Sequence, residues 1–498
     1  MYLGIDLGTS GVKLLLLDAS HNVLATADAA VPQHRPQPTW SEQHPADWLS
    51  ATESAVAQLR AQAPAAWAQV RGIGLSGHMH GAVVLGGEGQ VLRPAILWND
   101  GRASAECAQL EAAVPASRQI TGNLAMPGFT APKLLWLRTH EPEVFAGIQQ
   151  VLLPKDWLRL QLTGTAVSDM SDASGTLWLD VGRRDWSDTM LQACSLTRAQ
   201  MPALAEGSAA SGVLLDEVAR RWGLPPGVVV AAGAGDNAAS AVGVGARQAG
   251  QGFVSLGTSG VVFRVTDAFA PATDRAVHAF AHALPGRWHH MSVMLSAASA
   301  FGWVTRLTGQ ASEAHLSAAV GALSAARQAQ APLFLPYLSG ERTPHNNAAA
   351  TGVFMGLRAE HDATDLAYAV MEGVGFGLLD GLNAMRAART APSADAGTAA
   401  LALVGGGARS DAWAQMLASG LGCVLHRPMG AHAAAALGAA RLAAMACGGN
   451  DGNDGNEAHW CQPLPADATF TPKAAQQALL AERYARFVAL YPALQSQF

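Results

Sequence analysis

Short apolar runs, each bordering a glycine-rich polar turn, recur along the chain and alternate with helical stretches. Residues 12–17 and 261–265 are two such runs. Each follows a copy of one turn, Leu7-Gly8-Thr9-Ser10-Gly11 and Leu256-Gly257-Thr258-Ser259-Gly260. The pattern predicts strand, tight turn, strand, because glycine permits the turn and β-branched residues favour the flanks. The copies lie roughly half a chain apart, which predicts a duplicated domain, although five residues in a Gly-, Ser- and Leu-rich chain also match by chance. Further runs at 70–75, 227–232 and 401–404 end in Ser76-Gly77-His78-Met79-His80-Gly81, Gly233-Ala234-Gly235-Asp236-Asn237-Ala238 and Gly405-Gly406-Gly407. The last opens into a predicted helix over 411–421. This alternation predicts an α/β fold with functional loops at strand ends.

Composition narrows the picture. The 498 residues exceed one ordinary core, so two large domains are expected. Half the residues are hydrophobic and 14% are charged, enough to fill sizeable cores. Of 32 basic residues four are lysine (Lys13, Lys133, Lys155, Lys473), and no basic stripe supports nucleic-acid binding. Five scattered cysteines without a C-x-x-C pair predict reduced thiols in a cytoplasmic protein. The first residues reach Asp6 without a basic segment, so no secretory leader is expected. The alanine-rich stretch 433–445 is too short to span a bilayer and predicts a buried helix. The Gly-, Asn- and Asp-rich stretch 448–456 predicts a surface loop, since one copy of a calcium-type repeat cannot stack.

The turns carry the candidate chemistry. Asp6 stands at a strand end before Thr9, Ser10 and Lys13, so N–H groups and hydroxyls are available to a phosphate and the carboxylate to Mg²⁺. Lys13 adds a point charge. Gly257 and Thr258 offer a second such turn, and two facing turns would clamp a polyphosphate. An ordinary polar hairpin explains either copy equally simply. Gly405, Gly406 and Gly407 leave room for a base or ribose against backbone, while Ser410 also reads as a plain helix N-cap. Gly233 to Ala238 matches the dinucleotide pattern G-x-G-x-x-A, yet no acidic residue follows from 237 through 266. Asp236 at a strand-to-helix turn instead suits a general base, with an N-capping role as the alternative. His78 and His80 are weak metal candidates and fit a sugar-binding loop better. Asp100, in Trp98-Asn99-Asp100-Gly101-Arg102, is a further hydroxyl-binding candidate. No Gly-Lys dipeptide, H-R-D, D-F-G or G-x-S-x-G occurs, which excludes P-loop, protein-kinase and α/β-hydrolase motifs.

Two longer stretches resemble the signatures of the FGGY carbohydrate kinases. They are Gly128-Phe129-Thr130-Ala131-Pro132-Lys133-Leu134-Leu135-Trp136, and Gly352-Val353-Phe354-Met355-Gly356-Leu357 followed by Asp365-Leu366 and Ala369-Val370-Met371-Glu372. The likeness runs from Met1 to about Ala446. Met79-His80-Gly81, residues 96–102, Leu153-Pro154-Lys155-Asp156, Ser168 to Asp172 and Pro336 to His345 are most similar to the members acting on D-xylulose. The resemblance implies two RNase H-like, actin-like ATPase domains with a cleft between them. It divides the chain into 1–245, which binds sugar and carries the base, and 246–498, which binds ATP. It implies Asp236 as proton acceptor, Asp6 as an activity-determining residue near Mg²⁺, and Met79 and His80 as ketose contacts, with Asn237 and Asp100 beside them. By the same likeness Gly257, Thr258 and Gly405 to Gly407 line the ATP site. A homodimer is a family-level expectation. Kinases for ribulose, glycerol or gluconate, and an ATP-driven binding protein of the same superfamily, are the other readings. The segment Ala436-Leu437-Gly438-Ala439-Ala440 lacks the acidic residue that often precedes it in the family, which bears on local contacts at the lobe's edge and not on the chemistry.

Overall fold

A computed structural model describes residues 1–388, 400–448 and 454–498. Its frame is two seven-stranded sheets. The first holds β1 (Tyr2–Leu7), β2 (Gly11–Leu17), β3 (Val23–Ala30), β4 (Gly72–Gly77), β5 (Ala210–Val213), β6 (Val229–Ala231) and the short β7 (Ala234–Gly235). Its order is β5-β6-β4-β1-β2-β3, with β7 continuing alongside β4. The second holds β8 (Gly252–Leu256), β9 (Gly260–Thr266), β10 (His278–Ala281), β11 (Trp288–Met294), β12 (Leu401–Val404), β13 (Leu425–Pro428) and β14 (Ala466–Phe470), in the order β10-β11-β9-β8-β12-β13-β14.

The two sheets share a plan. In each, three antiparallel strands (β3-β2-β1 and β11-β9-β8) lead into two parallel ones (β4-β6 and β12-β13). The repeated L-G-T-S-G turn joins the first two strands of both, so the sequence repeat marks a repeated topology. The fold is that of two actin-like ATPase domains.

Among the described residues, the helices that position the site and cores include α1 (Pro45–Gln62), α2 (Thr130–His140), α3 (Pro154–Thr163), α4 (Asp236–Val244), α5 (Ala298–Leu307), α6 (Ala363–Ala387), α7 (Asp411–Leu421), α8 (Ala434–Cys447) and α9 (Ala474–Leu494). Trp48, Val56 and Leu59 of α1 bury against Leu3, Ile5 and Leu14 of the first sheet. Around the second sheet, Val370 and Val374 of α6 and Trp413 and Leu417 of α7 join Val254 and Leu403. Helix α6 opens on a reciprocal cap in which Asp362 accepts from the N–H groups of Thr364 and Asp365 and the Asp365 carboxylate accepts from that of Asp362.

Helix α8 is buried, as its apolar composition predicts. It packs on the first sheet and on α4. A Cβ on Gly4 would come within 1.8 Å of the Ala436 carbonyl oxygen, and one on Gly438 within 1.8 Å of the Ala239 oxygen. Only hydrogen side chains allow so close an approach. The chain beyond the family signatures is also structural, adding β14 to the second sheet and α9 to its core. Of the Gly-, Asn- and Asp-rich stretch, 449–453 lies outside the described residues, and a helix, Asp454–Trp460, follows instead of further loop. Among the described residues no helix is long and apolar enough to cross a membrane.

Candidate active site

Sheet register assembles the acidic centre. Asp6 on β1 pairs with Ser76 on β4, and Ser76 pairs with Ala234 on β7, two residues before Asp236 opens α4. Both carboxylates therefore emerge at the carboxyl ends of the two parallel strands that flank β4, where open α/β sheets bind ligands. The Ser76 hydroxyl donates to Asp6 at 2.7 Å. The backbone N–H and side-chain amide of Asn237 donate to one oxygen of Asp236, at 2.7 and 2.9 Å. Burial pushes the Asp236 carboxyl up to about 6, and the neighbouring Asp6 adds to the rise. Burial raises Asp6 as well, against the Ser76 hydrogen bond and the charge of Lys13.

Asp236 and Asn237 border a cavity of about 280 Å³, together with His78, Met79, His80 and Phe129. Met79 packs against the turn before Asp236, where a Cβ on Gly235 would lie 2.8 Å from the Met79 Cγ. His80 has a left-handed backbone, φ 70°. That strained conformation is pinned through its carbonyl, which accepts from the Lys133 ammonium at 2.8 Å and the Thr130 hydroxyl at 3.1 Å. Its Nδ1 lies 2.8 Å from the Gly175 carbonyl, which can only accept, so Nδ1 carries the proton and Nε2 is left as an acceptor. Burial drops both His78 and His80 to about 3, so each is neutral at physiological pH. Lys133 belongs to the first signature, and its task here is structural support of the His80 loop.

Beneath the turn of Asp236 lies a sealed ionic cluster. Lys155 on α3 contacts Asp156, Asp169 and Asp172 at 2.6, 2.7 and 3.2 Å, and Arg159 reaches Asp156 at 3.1 Å. Arg159 also donates to the Ala232 carbonyl. Asp169 accepts from Ser171, whose hydroxyl accepts the Gly235 N–H at 3.1 Å. The backbone on either side of β7 is thus tied to a fully buried network. Burial and two like charges hold Asp172 well above the usual carboxylate range, despite Lys155.

The second L-G-T-S-G turn borders the same cavity, and the first reaches it through one neighbour. Ser259 of the second lines it directly, and the first is joined to it through Trp98, a lining residue whose indole N–H donates to the Thr9 hydroxyl at 2.9 Å. Ser10, at the tip of the first turn, is exposed. The second turn is braced from behind: the Gly257 and Thr258 carbonyls accept the N–H groups of Ala298 and Ala297 at 2.8 and 2.9 Å. Gly405 has φ 94°, and a Cβ there would strike the Leu256 backbone at 2.6 Å. A Cβ on Gly407 would meet the Leu256 side chain, whereas one on Gly406 would meet open space. The glycine triplet therefore abuts the second turn and leaves a free surface beside it.

Three candidates sit differently. Ser410 is engaged as the N-cap of α7, accepting from the Trp413 N–H at 3.1 Å and bonded to the Ser317 hydroxyl at 2.7 Å. Asp100 does not border the cavity. Its carboxylate accepts from the Ser41 N–H at 2.6 Å and holds the Arg102 guanidinium at 2.7 and 2.9 Å, so it shapes the Trp98 loop instead of meeting a ligand. Lys13 donates to the His432 carbonyl at 2.9 Å, ahead of α8, while its charge is felt by Asp6. A larger groove of about 760 Å³, between α7, α9 and neighbouring helices, contains none of the candidate site residues.

The acidic pair fits a divalent ion in one respect. Two buried carboxylates, both raised by burial and one of them further by the other's charge, gain from a cation between them. Among the described residues no cluster of three or more His, Cys, Asp or Glu completes a protein-only metal site, so further ligands would have to come from a substrate.

Paired hairpin turns, a glycine triplet abutting one of them and a buried carboxylate at the strand ends are the parts of a phosphotransferase of the actin-like type. Residues 1–243 match the N-terminal domain, and 252–447 the C-terminal domain, of the FGGY family of carbohydrate kinases. The chain belongs to that family. It is 52% identical to a xylulose kinase of Escherichia coli over 494 residues, covering 99% of both chains. It is 54% identical to a xylulose kinase of Klebsiella pneumoniae over 447 residues, covering 90% of both. A crystal structure of a xyloylose kinase from Brucella ovis superposes with a TM-score of 0.94 at 48% identity, covering all of both chains.

The sequence alone assigns no role to Ser76, Phe129, Ser255, His278 and Arg342, although Ser76 supports Asp6 and the other four line the cavity. Phe129 and Arg342 lie within quoted family stretches, which was the available signal. His278 had none.

Proposed function

We propose that this enzyme transfers the γ-phosphate of ATP to the C5 hydroxyl of D-xylulose, giving D-xylulose 5-phosphate, as a step of xylose catabolism. One observation carries the reading: Asp236, buried at the cavity wall with its pKa lifted to about 6, in the cavity that Ser259 of the second glycine turn also lines. A carboxyl of that pKa is ionised at neutral pH and basic enough to accept the acceptor hydroxyl's proton as the new bond to phosphorus forms.

Phosphoryl transfer passes through a loose transition state with spread negative charge, so the protein contributes positioning and electrostatics. Met79, His80 and Asn237 orient the sugar, and Nε2 of His80 is a fixed acceptor for a hydroxyl. The turns at Thr9–Ser10 and Gly257–Thr258 hold the phosphates, and Gly405 to Gly407 receive the nucleoside. Asp6 and Asp236 would hold Mg²⁺, which when bound neutralises phosphate charge. The reading takes the enzyme as a cytoplasmic homodimer with no nucleic-acid partner.

A coupled ADP-release assay across D-xylulose, D-ribulose, glycerol, xylitol and D-gluconate tests it. D-xylulose should show the highest kcat/KM. A clear preference for another acceptor would overturn the substrate assignment.

A further inference from the structure

Arg342 lies between β11 and β12 of the second sheet in sequence, yet its side chain lines the cavity that holds Asp236. Among the described residues its guanidinium has no hydrogen-bond or ion-pair partner; the polar contacts of this residue are made by its backbone, with Glu341 at 2.7 Å and Asn346 at 2.5 Å. Every other strongly buried cation near the cavity is occupied. Lys133 is spent on the His80 carbonyl, Arg102 on Asp100, and Lys155 on three carboxylates. Glu341, the neighbouring carboxylate, accepts from two backbone N–H groups, those of Arg342 and Leu295. A guanidinium taken partly out of water without a partner is costly, so its place in a ligand cavity calls for an acceptor supplied by the ligand.

The position of the charge says which part of the ligand. Arg342 presses on the imidazoles of His80 and His278, both held neutral by burial. The guanidinium therefore serves the histidine end of the cavity that all three residues line. An open-chain ketose whose terminal hydroxyl faces Asp236 points its other end there.

We propose that Arg342 is a sugar-contacting, specificity-determining residue. Resting on the ketose-kinase reading above, it donates to the oxygens of the carbonyl end of the acceptor, with the neutral histidines beside it. The second lobe thereby completes the sugar site of the first. A fork of N–H donors suits two adjacent oxygens, such as a carbonyl and its neighbouring hydroxyl, better than an ammonium does.

The test measures Arg342→Ala, Arg342→Gln and Arg342→Lys for KM of D-xylulose, KM of ATP, kcat, calorimetric sugar binding without nucleotide, and thermal melting. Arg342→Ala should weaken sugar KM and binding by about tenfold to a hundredfold, the range for a hydrogen bond to a charged group, with ATP KM unchanged. Arg342→Lys should recover part of the loss, and the conservative variants keep the test decisive if the alanine form fails to fold. An unchanged sugar KM and binding would overturn the proposal. So would a rise confined to ATP KM, which would make the arginine a phosphate contact. Should the wild-type enzyme prefer a different acceptor, the functional reading falls; the mutant-to-wild-type ratio on that acceptor still decides the contact.

Discussion

A carboxylate whose pKa is lifted sets the pH behaviour of the site. Asp236 is pushed to about 6, mainly by burial. It accepts a proton only when ionised, so activity should be full well above pH 6 and fall below it. In kcat/KM, which reports the free enzyme, the acidic limb should fall about tenfold per pH unit below an apparent pKa near 6. His78 and His80, dropped to about 3, do not ionise in that range and leave the limb to the acidic pair. A limb centred near the ordinary aspartate value would contradict the assignment. Asp236→Asn should cut kcat by roughly 10²- to 10⁴-fold and remove the limb.

Elements are joined by buried polar bridges as well as by apolar packing. Glu372 on α6 accepts from Nε and Nη2 of Arg483 on α9 at 2.6 and 2.7 Å, and the same guanidinium donates to the carbonyls of Ala329, Ala331 and Pro332. Glu372 lies in the second family signature, whereas Arg483 lies beyond the matched domain. Replacing Arg483 with Met strands a buried carboxylate and three carbonyls, an expected loss of about 3–5 kcal/mol. Urea unfolding would measure it. An unchanged midpoint would show that α9 does not hold the second core. Adding Glu372→Leu to the same chain should restore part of the stability, since the stranded charge is then gone.

At the scale of the whole molecule, a division at residues 245/246 separates the two sheets but not the packing. Helix α8 comes from the second half and lies on the sheet of the first, in contact with the helix that begins at Asp236. Gly438 against the Ala239 carbonyl and Gly243 against the Ala434 carbonyl make that crossing close. Gly438→Ala forces a methyl group into a backbone oxygen. The expected result is a loss of about 1–3 kcal/mol together with lower kcat, since α4 must shift and carries Asp236 with it. Wild-type stability and turnover in this variant would show the crossing to be slack.

Read as a string, the amino acids settle what depends on neighbours in the chain. Alternation of apolar runs with glycine turns foretold the strands at 401–404 and the helix at 411–421, and the repeated turn foretold the repeated topology. The strand-end placements of Asp6, Asp236 and Met79-His80 were legible because a strand end followed by a turn needs particular residues within a few positions. The backbone bonds of Asp100 and Ser410 were not, because a polar residue beside a turn looks the same whether it serves a ligand or its own backbone. Arg342, His278 and the placement of α8 were decided by tertiary structure alone. Their meaning rests on contacts across hundreds of residues, where burial, charge and a gap of one missing methyl group depend on how the two halves close over a common cleft.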